Sequence, residues 1–344
     1  MTTVASLQAT SSSFDSFERS TVERRAPRPD DVAIDIAHCG ICHSDISGVE
    51  MGFAPYPIVP GHEITGVVRE VGAEVTAFRP GDRVGVGCFV DSCGQCDFCR
   101  AGQEQFCPQV VVSFAGVDHE GNQTQGGYSR GIVVRDRFVL RIPDALALDE
   151  ASPLLCAGIT TYNPLKRYGI GPGSRLAVVG LGGLGHIAVQ FARAMGAGVT
   201  VLGHSEAKRE EAARFGATGY EVLRDPGDFE PLADSFDFIL NTTAVPLDVD
   251  AYLSLLRVDG VLCSVGLTAE PQSFNAMSLF SRQLSITASN VGGIAMTQEM
   301  LDFAAEHRIR PVIQTITADQ VPRAYRDILD SKVRYRCVID MSTL

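Results

Sequence analysis

Four cysteines stand close together in the run DSCGQCDFCRAGQEQFC: Cys93, Cys96, Cys99 and Cys107. The pattern C-x2-C-x2-C-x7-C lets one irregular loop wrap a metal ion, and four soft sulfurs close a tetrahedral zinc site without leaving a position for water. A disulfide cluster is the alternative for such a run, but it needs an oxidising compartment that nothing else in the chain suggests. An iron–sulfur centre of the bacterial ferredoxin type has a shorter last spacer than the one before Cys107-Pro108. The spacing reads as a structural zinc lobe over residues 91–108.

Three other places carry groups that could react or bind metal: Cys42 in HCGICHSD, His62-Glu63 in VPGHEITG, and Cys156 in PLLCAGIT. Taken singly, each has a plain reading as a buried small hydrophobe or a polar turn. Taken together they make the nitrogen and sulfur donor set of a catalytic zinc, with a carboxylate beside it and one position open to substrate.

These groups need elements to position them. Residues 1–150 read as short strands separated by turn signals such as RPGD: VAIDIAHCG, EITGVVREVG and RVGVGCFV. From about residue 154 the texture changes to near-continuous apolar strands alternating with helices, the mark of a parallel sheet covered on both faces. RLAVVGLG is followed by HIAVQFARAMGA, VTVLG, the charged SEAKREEAARFGA, FDFILNTT, GVLCSVGL and LSITASN. Near residue 292 the alternation stops, and TQEMLDFAAEH with RYRCVIDM closes the chain.

Gly180-Leu181-Gly182-Gly183-Leu184-Gly185 sits between the first of those strands and the first helix. This is the dinucleotide-binding turn G-x-G-x-x-G: a tight turn, a close approach to a pyrophosphate, and close helix–strand packing, with free N–H groups at the helix start. An unphosphorylated ribose calls for Asp or Glu at the end of the second strand. That strand, 199–202, ends instead in Gly203, followed by His204, Ser205, Glu206, Ala207, Lys208 and Arg209. The missing carboxylate, with Ser205, Lys208 and Arg209 as donors, predicts NADP rather than NAD, although Glu206 opposes it. The plain alternative is a solvated helix start capped by Ser205.

Composition bounds the rest. The chain has 344 residues, 45% of them hydrophobic, which predicts two packed domains. A formal net charge of −12 argues against nucleic acid or an anionic membrane surface as partner. The most apolar stretch, 176–202, is interrupted by His186, Gln190 and Arg193. The first residues carry no apolar leader pattern, and ten cysteines point to a reducing compartment, so a cytoplasmic location is expected.

The ordered set GICHSD, PGHE, GVGCFVDSCGQC, QGGYS, LLCAGITTY, GLGGLGH and VGGIAMTQEMLDF resembles the zinc-dependent medium-chain alcohol dehydrogenases, essentially end to end. Within them it is most similar to the cinnamyl alcohol dehydrogenase-like branch with its bacterial NADPH-dependent aldehyde reductases. The resemblance implies an α/β protein with a GroES-like β-rich catalytic domain, residues 1–153 and 292–344, and a doubly wound parallel Rossmann domain, 154–291. It implies Zn, two per chain, and NADP. Cys42, His62 and Cys156 match catalytic zinc ligands, with Glu63 as the acidic neighbour. Ser44 matches the hydroxyl that relays the proton, and Asp45 a group orienting the ligands. Cys93, Cys96, Cys99 and Cys107 match the structural zinc. His43, Thr160, the turn Gly180, Leu181, Gly182, Gly183, Leu184 and Gly185, and His204, Ser205, Lys208, Val265 and Ser289 match cofactor positions.

What the resemblance implies is hydride transfer between NADP(H) and a small primary alcohol or aldehyde, aromatic or medium-chain aliphatic, by a homodimer. A conjugate reductase of enals and a polyol dehydrogenase are the alternatives on the same scaffold. The family's relay often ends in a His five residues beyond the first zinc cysteine, and here that residue is Ser47. The chain has no tryptophan on which to stack an aromatic substrate. The resemblance places Met51, Phe53, Phe114 and His119 in loops near the substrate cleft, where core packing or surface decoration is as good a reading as substrate contact, while Cys39, Cys88, Cys263 and Cys337 read as core and His38, His186 and His307 as structural or surface residues.

Overall fold

The computed structural model describes residues 1–266, 268 and 270–344; Leu267, which ends one expected strand run, lies outside them. The chain divides into two compact units, Met1–Ile159 with Gly292–Leu344, and Thr160–Val291. The first crossover therefore falls beyond the 153/154 boundary expected from the sequence. Its reason is packing: Leu154 and Leu155 are fully buried, and Leu155 lies against Gly85 and Gly87 of the first unit.

The first unit is built on a seven-stranded sheet. Its central strand, Asp31–Gly40, pairs antiparallel with Ile64–Val71, Gly131–Arg135 and Arg336–Asp340. Val32, Ala33, Ile34, Ile36 and Cys39 on that strand are buried, consistent with its place at the centre of the sheet. A hairpin of Thr2–Ala9 and Phe17–Arg24 packs alongside, and Arg24 reaches from it to the carbonyl oxygens of Gln125, Gly126 and Gly131. Arg24 thus fixes the QGGYS segment, and its complete burial pulls its pKa down to about 10. A short pair, Phe89–Asp91 with Val111–Val112, brackets the four-cysteine lobe.

Among the described residues the second unit holds six parallel strands. In space they run Gly219–Val222, Gly198–Gly203, Arg175–Val179, Phe236–Asn241, Leu256–Ser264, Ser285–Ala288. In chain order that is 3-2-1-4-5-6, the Rossmann arrangement, whose ligand crevice lies beyond the carboxyl ends of the strands. The helix Gly185–Ala194 buries Ile187, Ala188, Val189, Phe191 and Ala192 against the sheet. His186 in the same helix is buried too, and its Nδ1 lies 2.8 Å from Gly182 O, a structural role. The expected charged helix at 205–217 is shorter than its text, a turn at Glu206–Lys208 and a helix Arg209–Arg214. Among the described residues, no helix is long and apolar enough to cross a membrane.

Candidate active site

Cys42 stands at the N-cap of the helix His43–Glu50, and its own N–H donates to Asp45 Oδ2 at 2.8 Å. Asp45, three residues on and fully buried, turns its other oxygen to Gly61 N at 3.0 Å and His62 Nδ1 at 2.9 Å. One carboxylate thereby fixes two candidate ligands from separate elements, and with Nδ1 committed, Nε2 is the ring nitrogen left for the cluster. Cys156 follows the one-turn helix Ser152–Leu155, whose Ser152 Oγ donates to Glu63 O at 2.6 Å. The Cys42 and Cys156 sulfurs are 3.9 Å apart. One ligand atom from each of Cys42, His62, Glu63 and Cys156 lies within 4.8 Å of every other, and all four residues are buried.

The electrostatics match this crowding. A hydrogen bond from the Cys156 thiol holds the Cys42 sulfur well below the ordinary thiol range, while Cys156 is pushed up by the same contact. Burial alone would lower the His62 pKa, but the Asp45 carboxylate carries it well above the usual value. Burial pushes the Glu63 carboxyl up to about 7 against the opposing pull of Arg336. Arg336 pairs with Glu63 Oε1, leaving Glu63 Oε2 without a hydrogen-bond partner among the described residues. Phe114 stacks on the His62 ring at 5.7 Å between centroids and 18° between planes.

In the lobe, one sulfur from each of Cys93, Cys96, Cys99 and Cys107 falls within the same 4.8 Å limit. The Sγ separations are 3.9 Å for Cys93–Cys99, 3.6 Å for Cys96–Cys99 and 3.5 Å for Cys93–Cys107. A disulfide would bring sulfurs to about 2.05 Å, whereas a tetrahedron of about 2.3 Å zinc–sulfur bonds has edges of about 3.8 Å. The thiols therefore fit a metal and not each other. The N–H groups of Gln95 and Cys96 point at the Cys93 sulfur and pull its pKa down to about 6. The orphaned Glu63 oxygen, beside two sulfurs and an imidazole, fits a metal at the first cluster in the same way.

The dinucleotide turn is equally defined. Gly180 has φ +84°, and a Cβ on Gly185 would overlap the Gly180 carbonyl oxygen, so the helix can pack against the turn only without side chains there. A Cβ on Gly182 would meet nothing within 4 Å, leaving its backbone open to a phosphate. Lys208 Nζ donates to Leu181 O at 2.6 Å and so stands over the turn.

Residues 28–144 match the family model of the alcohol dehydrogenase GroES-like domain, and residues 183–306 match that of the zinc-binding dehydrogenases. The Bacillus subtilis protein named "Probable formaldehyde dehydrogenase AdhA" is 60% identical over 331 residues, 95% of each chain. The chain belongs to the zinc-binding alcohol dehydrogenase family. NADP-dependent alcohol dehydrogenase C 1 of Mycolicibacterium smegmatis is 54% identical to this dehydrogenase, covering 100% of this chain and 99% of that protein. Among solved structures, the cinnamyl alcohol dehydrogenase SbCAD4 of Sorghum bicolor superposes with a TM-score of 0.95 at 41% identity, over 99% of this chain and 98% of that one. The Helicobacter pylori enzyme CAD complexed with NADP(H) gives 0.91 at 38%, over 99% and 98%.

In this dehydrogenase the remaining expected positions fall in two places. His43 and Ser44 are exposed at the start of the first-unit helix, with Ser44 Oγ 3.8 Å from the Cys42 sulfur. Thr160, Gly180 to Gly185, His204, Ser205, Val265 and Ser289 belong to the second unit, and His204, Ser205, Val265 and Ser289 follow the carboxyl ends of sheet strands. Arg209 differs from its expected role as a phosphate donor: its guanidinium is taken by Glu206, at 2.5 and 2.9 Å, and by Tyr220 O.

Cys88 also differs from the core role read for it. It is only half-buried, and the Cys156 thiol beside it pulls its pKa down, so a third sulfur borders the cluster. Cys39, Cys263 and Cys337 are buried as expected. Met51 and Phe53 are exposed, Phe114 is buried on His62, and His119 faces Asp91 at 3.7 Å. Arg336, the cation beside Glu63, escapes sequence reading because the two residues are 273 apart in the chain.

Proposed function

We propose that the protein is a zinc-dependent NADP(H) alcohol dehydrogenase and aldehyde reductase acting on primary aromatic or medium-chain aliphatic alcohols and aldehydes. The observation that carries this reading is the buried convergence of Cys42, His62, Glu63 and Cys156 on one point. The relatives support it by their names, which are those of formaldehyde, alcohol and cinnamyl alcohol dehydrogenases rather than conjugate reductases or polyol dehydrogenases. When bound, zinc supplies Lewis acidity toward the substrate oxygen, and the nicotinamide supplies or accepts the hydride at the carbon that bears it.

The chain's own residues divide the remaining work. Cys42, Cys156 and His62 Nε2 are the ligands of this site, and Cys93, Cys96, Cys99 and Cys107 those of a second, structural zinc. Asp45 keeps the imidazole in the tautomer that turns Nε2 inward. Arg336 holds Glu63 back by one oxygen, so its other oxygen is available as a fourth donor. Ser44 Oγ, exposed beside Cys42, holds the proton exchanged with the substrate oxygen, and Ser47 or the cofactor ribose passes it onward. The N–H groups of the 180–185 turn and the Lys208 ammonium receive the cofactor phosphates.

The protein acts as a cytoplasmic homodimer. The edge strand Ser285–Ala288 leaves Ile286 38% exposed, and neighbouring Met277 and Phe280 are 63% and 79% exposed, an apolar margin that a second copy of the same edge would cover. The deciding experiment measures zinc per chain and NADPH oxidation on benzaldehyde for wild type and Cys156→Ala. Two zincs with activity, falling to one zinc and none in the variant, is the expected result. Activity that survives the substitution overturns the reading. With cinnamaldehyde the expected product is cinnamyl alcohol, and a saturated aldehyde overturns it in favour of conjugate reduction.

A further inference from the structure

Gly203 ends the strand Gly198–Gly203 at the point where an NAD-selective site carries a carboxylate. The structure supplies a physical reason for its lack of a side chain. Tyr220, on the neighbouring parallel strand Gly219–Val222, lies opposite Val201 and shares its face with Gly203, two residues on. A Cβ on Gly203 would stand 2.8 Å from Tyr220 Cζ and closer still to the hydroxyl. Tyr220 is only 5% exposed and its hydroxyl is tied to Ser205 O, so swinging the ring aside breaks that hydrogen bond.

The same side chain organises the loop that follows. Its hydroxyl donates to Ser205 O at 2.7 Å. The Arg209 guanidinium lies over its ring, 5.1 Å from the centroid, and donates to its carbonyl oxygen at 2.5 Å. Glu206 holds Arg209 from the other side. Ser205 caps the next turn without using its hydroxyl, which stays exposed.

We propose that Tyr220 is the positioning residue for cofactor selectivity: it denies position 203 to a carboxylate and fixes the Ser205 peptide, so that Ser205 Oγ and Lys208 are presented to a ribose 2′-phosphate. The proposal rests on the NADP reading given above. Tyr220 touches no cofactor atom in this scheme and acts only through the 203–209 loop. Its removal therefore changes the ratio of NADPH to NADH affinity, which a purely structural tyrosine would leave alone.

The test is equilibrium binding of NADPH and NADH to the zinc-loaded enzyme, followed by nicotinamide fluorescence, for wild type, Tyr220→Phe, Gly203→Asp and Gly203→Asp/Tyr220→Val. Tyr220→Phe keeps the ring and loses one hydrogen bond, so NADPH binding weakens about fivefold with NADH binding unchanged. Gly203→Asp alone gains nothing for NADH, or fails to fold, whereas the double variant binds NADH about tenfold more tightly than wild type as its carboxylate reaches the ribose hydroxyls. A wild-type preference for NADH overturns the NADP reading and this proposal with it. A wild-type preference for NADPH that Tyr220→Phe leaves intact, or tight NADH binding by Gly203→Asp with Tyr220 in place, overturns this proposal alone.

Discussion

Asp45 Oδ1 lies 2.9 Å from His62 Nδ1 while its other oxygen accepts the N–H of Cys42, so a single buried carboxylate orients two of the four converging side chains. Asp45→Asn retains the shape but not the charge that fixes the imidazole. Removing such a partner of a metal ligand commonly costs about 10–100-fold in metal affinity. The expected result is a weakening of that order at one of two sites, read by competition with a zinc chelator, with the four-cysteine site unchanged. Equal weakening at both sites would contradict this role.

The Glu63–Arg336 pair is buried on both sides, at 0% and 6% side-chain exposure. Arg336→Met leaves a carboxylate in a dry site without its cation, a change that typically costs about 3–5 kcal/mol. Glu63→Gln/Arg336→Met removes both charges and should recover most of that loss in urea unfolding. A double variant no more stable than Arg336→Met would show that packing, rather than the stranded charge, sets the cost.

Glu104, in the four-cysteine lobe, accepts the N–H of Ile294 at 3.1 Å with Oε2, at the start of the helix Ile294–Glu306. Gly293, the N-cap of that helix, has no side chain to do this itself. A carboxylate there satisfies one free N–H and complements the helix dipole. Glu104→Ala is expected to destabilise by about 1 kcal/mol, seen as a melting point lower by about 2–4 °C. Retention of the full melting point would remove Glu104 from the account.

Cys107→Ser takes one donor from a lobe whose sulfurs are spaced for a metal. The expected outcome is loss of one zinc per chain and a melting point lower by at least about 5 °C. The four groups around His62 should keep their own ion, because no residue is shared between the two clusters. Loss of both ions together would show that the clusters are not independent.

The four-cysteine lobe is legible in the sequence because its short spacers record one local loop, whereas Cys42, His62 and Cys156, spread over 114 residues, are singled out as a set only by the family resemblance of GICHSD, PGHE and LLCAGITTY. The Rossmann sheet was legible because buried parallel strands are continuous apolar runs with a glycine turn between strand and helix. What escaped depends on side chains meeting across the fold. Cys88 reads as any cysteine in a strand, and only the fold sets it beside Cys156. Arg336 lies within the closing run RYRCVIDM, and only the pairing of Arg336–Asp340 with Asp31–Gly40 brings it to Glu63. Gly203 was legible as a missing carboxylate, but the tyrosine filling its space could not be read from a position 17 residues further along.

The pairing of Arg336–Asp340 with Asp31–Gly40 also bears on the order in which the molecule is made. A ribosome delivers Cys42, His62 and Glu63 early and the cation for Glu63 last, after the whole of the second unit has emerged. Until that late strand docks, the central strand lacks one neighbour and the Glu63 carboxylate lacks its counter-charge, so the nascent first unit waits half-built while the inserted unit, continuous in the chain, already has all its strands to pair.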